Sequence, residues 1–128
     1  MKNQTRVLLL IAALFVTTWV SAQQMQMKSP QERAQKQTMW MQKNLGLTEE
    51  QNKQVYNINL KYAQQVDEAR AGAAGAEKKM EVRDLQKDKE AELKGVLTGD
   101  QFQKYQARQQ EMKDRRQERR ANMLNGSN

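Results

Sequence analysis

The pentapeptide Leu47-Thr48-Glu49-Glu50-Gln51 returns fifty residues later as Leu97-Thr98-Gly99-Asp100-Gln101, and this pair constrains the fold more than any other feature. A threonine followed three residues later by glutamine is the chemistry of a helix start. The hydroxyl accepts a hydrogen bond from the third helical N–H, and the glutamine side chain reaches back to the N–H of the threonine. Two amides that a helix cannot satisfy internally are thereby paired. Ser29-Pro30-Gln31-Glu32 gives the same instruction with serine as the cap and glutamate closing the box, and proline stands at the first helical position, where its missing N–H is no loss. Repeated helix starts predict an all-α chain.

The periodicity between these starts predicts four helices. The first runs from Pro30 to about Asn44, with Ala34, Met41 and Leu45 on one face and Gly46 as a left-handed stop. In the second, Val55, Ile58, Tyr62, Val66 and Ala69 recur at steps of three and four, flanked by Tyr56, Leu60 and Ala63, giving an amphipathic helix of about twenty residues. Gly72 and Gly75 lie in the alanine-rich stretch 71–76, and each glycine costs a helix roughly 1 kcal/mol relative to alanine. A turn is predicted there; a continuous helix is the alternative, because alanine offsets part of that cost. The third helix spans about Glu77 to Val96, carrying Met80, Val82, Leu85, Leu93 and Val96, and Lys89 interrupts its stripe and predicts looser packing than in the second. Leu97 and Phe102 occupy the staple positions around the next cap, and Phe102, Tyr105 and Met112 mark the apolar face of the fourth helix. That helix is expected to end in the run Lys113 to Arg120, five basic and two acidic side chains suited to a helix C-terminus, with 121–128 a disordered tail.

The first 22 residues have the layout of a secretory signal peptide: Lys2 and Arg6, then the apolar run Val7 to Val16, then Val20-Ser21-Ala22 as a cleavage site. The run is short for a permanent span of a bilayer, and an uncleaved anchor is the alternative to a cleaved signal peptide. Cysteine is absent, which rules out lipid attachment and disulfides alike. The expectation is a periplasmic protein cleaved near Ala22, with 23–28 a flexible arm and 29–120 the helical domain. Its charge after processing is about +5. Nucleic acid is the ordinary partner of a basic helical chain, but export separates the two, leaving polypeptides and at most peripheral contact with an anionic membrane surface. Among the 106 processed residues only 13 are Leu, Ile, Val or Phe. So thin a core predicts dimerisation, which buries more surface.

With two Leu-Thr-x-x-Gln motifs in an exported, cysteine-free helical chain, the sequence resembles the Spy/CpxP family of periplasmic ATP-independent chaperones and stress-response modulators. The resemblance covers about residues 29–120 and rests on Leu47, Thr48, Gln51, Leu97, Thr98 and Gln101. It implies an elongated, thin, cradle-like four-helix hairpin bundle, paired as an antiparallel homodimer, whose concave basic and apolar surface holds unfolded or partly folded envelope proteins. The six motif residues are structural in that picture. Gly99, which gives the second motif no side chain, and the Gly/Ala stretch depart from the pattern and are expected to loosen the cradle.

Candidate client-binding residues are Met39, Trp40 and Met41, with Lys113, Arg115, Arg116, Arg119 and Arg120. Flexible methionines adapt to varied apolar partners, and cations steer acidic segments. Three consecutive residues cannot all face inward on one helix, so the Met-Trp-Met patch is either client surface or core and dimer contact. The basic run is either a solvated helix end or an electrostatic contact with lipid, client or sensor. Two further readings stand beside the chaperone: a modulator of the periplasmic domain of an envelope stress-sensing kinase, and a copper- or silver-responsive protein using thioethers of Met25, Met27, Met39 and Met41. With neither His nor Cys, no cofactor or metal site and no catalysis is expected.

Overall fold

A computed structural model describes residues 28–72 and 74–126. The signal segment, most of the arm, and Met25 and Met27 lie outside the described residues. Four helices follow one another: α1 (Pro30–Leu45), α2 (Glu49–Gly72), α3 (Gly75–Val96) and α4 (Gly99–Asn125).

The caps form as their chemistry requires. Ser29 Oγ accepts from Glu32 N at 3.2 Å, and Glu32 Oε2 accepts from Ser29 N at 3.2 Å. Thr48 and Gln51 exchange the same pair at 3.1 and 3.0 Å, and Thr98 and Gln101 at 3.3 and 3.0 Å. Gly46 stops α1 at φ 67°, a left-handed conformation that glycine adopts without a Cβ penalty. The Gly/Ala stretch is a turn: Ala74 is extended, Gly75 takes φ 61°, and α3 starts two residues earlier than Glu77. At the other end α4 passes Arg120 and continues to Asn125, because the chain offers no glycine or proline stop before Gly126.

Short connections make the helices alternate in direction. Bonds between Arg33 and Ala63 and between Thr38 and Asn59 fix α1 antiparallel to α2, and bonds from Gln51 to Val96 and from Lys61 and Tyr62 to Glu92 do the same for α2 and α3. The core is small and draws on all four helices: Met41, Leu45, Val55, Ile58, Tyr62, Leu93, Leu97 and Tyr105, with Leu47, Val96 and Phe102 packed around it. Val66, expected on the buried face of α2, is only half-buried, and Met80 is 64% exposed. Fully buried Leu93 and the buried aliphatic stem of Lys89 carry the inward face of α3.

The alternation places both Leu-Thr-x-x-Gln turns at one end of the bundle, where their glutamines bond each other. Gln51 Nε2 donates to Gln101 Oε1 at 2.8 Å and to the Val96 carbonyl at 3.0 Å. Gln101 Nε2 donates back to Gln51 Oε1 at 3.3 Å and to the carbonyls of Leu45 and Gly46 at 3.2 and 3.3 Å. Each amide caps its own helix with its oxygen and ties down the end of another helix with its nitrogen. The repeated motif is thus a clasp that holds the two hairpins together.

Candidate functional site

From the clasp, α4 runs back along α1. Gln101 meets Leu45, Arg108 lies over the Trp40 ring at 5.4 Å from its centroid, and Arg116 reaches the neighbourhood of Arg33 and Lys28. Past that point α1 has ended, and residues 117–125 of α4 are exposed. Only the first half of α4 rests on the bundle. Between it and α1 is an open groove of about 340 Å³, floored by Asn59 of α2 and Lys89 of α3.

Helical spacing explains the walls. On α1, Arg33, Lys36, Gln37 and Trp40 recur at steps of three and four, and on α4, Tyr105, Arg108, Gln109, Met112 and Arg116 do the same. The lining contains six basic side chains and no acidic one. Of the six, Arg33 is paired with Asp67 at 2.7 Å and Arg108 with Glu111 at 2.9 Å, both carboxylates lying outside the groove. Lys28, Lys36, Lys89 and Arg116 have no carboxylate partner among the described residues. Mutual repulsion across the groove opposes its closing.

The floor is polar and partly unsatisfied. Lys89 is 7% exposed and donates to Gln37 Oε1 at 2.7 Å, and burial pushes its ammonium down to about 8. Asn59 donates to Thr38 Oγ1 at 2.9 Å while its Oδ1 has no partner among the described residues. The buried Tyr105 hydroxyl has none either, and burial pushes it up to about 12; Gln86 lies near enough to moderate that shift, without a hydrogen bond of acceptable geometry. Trp40, Met41 and Met112 supply the apolar part of the lining.

Three of the eight candidate client-binding residues, Trp40, Met41 and Arg116, line this groove. Met39 does not: it is 60% exposed and borders a shallow depression on another face with Thr38, Asn52 and Tyr56. Lys113, Arg115, Arg119 and Arg120 are exposed on α4 outside the groove. The split of Met39 from Met41, which is 2% exposed with its sulfur against Asn59 Nδ2 at 3.8 Å, means that these two thioethers do not converge on one metal ion. No group of three or more His, Cys, Asp or Glu side chains placed to hold a metal occurs among the described residues, nor is any described helix long and apolar enough to cross a membrane. Sequence reasoning passed over Lys28, Arg33, Lys36, Asn59 and Arg108 as site residues. The available signals were the basic three-and-four spacing of α1 and the lysine inside the α3 stripe.

No curated protein and no solved structure matches the chain. A family model described as a domain of unknown function, DUF4890, matches residues 21–105, taking in α1 to α3 and the first turns of α4 while leaving Arg108, Met112 and Arg116 outside. The chain belongs to the DUF4890 family.

Proposed function

We propose that this protein is an exported, periplasmic, ATP-independent chaperone-like binder of unfolded or partly folded envelope proteins, in keeping with its resemblance to the Spy/CpxP family. The observation that carries this reading is the acid-free groove between α1 and α4, in which six cations surround Trp40, Met41 and Met112. Exposed, non-native chains present apolar groups and acidic segments together. A groove with adaptable thioethers and a cationic rim attracts such chains from a distance and holds them weakly. It does so as a binder and not as a catalyst. Pairing into a homodimer would extend the surface, and the exposed Met39 and Met80 are apolar groups it would cover.

The test is aggregation of a reduced or heat-denatured client with no ATP present. The reading predicts suppression at a several-fold molar excess and a clear loss of suppression when Lys36 and Arg116 are both changed to glutamate. A client that aggregates equally fast with and without the protein contradicts it. Sedimentation at rising concentration checks the dimer.

The bare basic end of α4 favours one rival, a modulator that docks on the periplasmic domain of an envelope stress-sensing kinase. Capture of one dominant membrane partner from envelope extract, in place of many unrelated clients, would select that rival.

A further inference from the structure

Holding unfolded chains needs a sticky, cationic surface; it does not need buried donors without acceptors. The groove has one at its floor, Lys89, and one on its α4 wall, Tyr105, besides Arg33 Nε on the α1 wall. Lys89 carries three ammonium protons and spends one on Gln37, and the Tyr105 hydroxyl donates to nothing among the described residues. Burying such groups unmatched is costly, and native structures rarely tolerate it without a reason. The cavity, about 340 Å³, lies within the range of small-molecule sites, roughly 300–1,000 Å³.

We propose that the groove binds a single-headed anionic amphiphile, with a carboxylate accepting hydrogen bonds from Lys89 and Tyr105 and an apolar chain lying against Trp40, Met41 and Met112. Charge selects the sign of the head, since no acidic side chain lines the groove. Asn59 Oδ1, an acceptor with no partner among the described residues on the same floor, disfavours the additional oxygens and second charge of a dianionic phosphate and so favours a carboxylate. Burial lowers the Lys89 ammonium and outweighs the opposing charge of nearby Glu90, which lies outside the groove lining. Lys36, exposed on the rim, and Arg116 on the facing wall would draw the head in. This inference rests on the client-holding reading only for the identity of the site.

The experiment uses the full chain labelled with ¹³C at the methionine methyls and titrated with dodecanoate below its micelle concentration. Met41 and Met112 should shift saturably, while Met39, Met80 and Met123 stay in place. Lys89→Met should weaken binding at least tenfold, and Lys36→Glu, at an exposed position with no role in folding, should weaken it several-fold. Dodecyltrimethylammonium should give no saturable shift. Shifts spread equally over the methyls of Met39, Met41, Met80, Met112 and Met123, equal binding of the cationic amphiphile, or binding to phosphatidylglycerol vesicles without binding to free dodecanoate would each overturn the proposal. Saturation at Met41 and Met112 without client protection removes the chaperone reading and leaves this one standing. Client protection with no response to dodecanoate does the reverse.

Discussion

Lys89 shows how one side chain links folding to the groove. Its aliphatic stem fills a core position on α3 while its ammonium sits at the groove floor, buried and bonded to Gln37. The folded chain holds this proton less tightly than the unfolded chain does, with a pKa of about 8 against an ordinary 10.5. Between those values the unfolded state binds more protons, so stability is lowest below pH 8 and rises with pH above it. Tyr62 and Tyr105, both pushed up to about 12, act in the opposite sense only above pH 10, where the unfolded chain loses its tyrosine protons first. Urea unfolding should therefore show a gain of about 2 kcal/mol between pH 7.5 and 9.5 relative to Lys89→Met, taking about 1.4 kcal/mol per pKa unit. An equal pH response in the two proteins would contradict it. Lys89→Met should also be the more stable protein at pH 7, since a methionine of similar shape avoids burying the charge. In the sequence the lysine shows only as a gap in an apolar stripe. That it would be buried depends on α1 lying across it, and no local pattern encodes that crossing.

At the scale of elements, the capping boxes were legible because both partners lie within four residues. Ser29 with Glu32, Thr48 with Gln51 and Thr98 with Gln101 all close as their spacing requires. Helix ends were less legible: α4 overran its expected end at Arg120 because polar residues alone do not stop a helix. The clasp was invisible for a different reason, since it needs two turns fifty residues apart to arrive at the same end of the bundle. A double-mutant cycle measures it. Gln51→Ala and Gln101→Ala should each cost about 2 kcal/mol, from the lost cap and the carbonyls left unpaired. The pair should cost about 1 kcal/mol less than the sum, because the first substitution already breaks the bonds the amides share. Strict additivity would mean that the glutamines act as separate caps.

For the molecule as a whole, fold class was written in the caps, and the site was not. The groove draws its walls from α1 and α4 and its floor from α2 and α3, so Lys28 and Arg116 become neighbours only after four helices have alternated in direction. Charge on these walls should make client holding sensitive to salt. Exposed cations act over about 10 Å at 0.1 M salt and about 3 Å at 1 M. Suppression of aggregation should accordingly fall several-fold between those salt concentrations, and a purely apolar holding surface would show no such fall. Photo-crosslinking tests the central claim most directly. A photoreactive residue is placed in turn at positions 36 and 109 on the groove, at 53 on the opposite depression, and at 123 on the free end of α4. With a non-native client present, the account predicts covalent adducts from positions 36 and 109 and little from the other two. Adducts concentrated at 53 or 123 would contradict it.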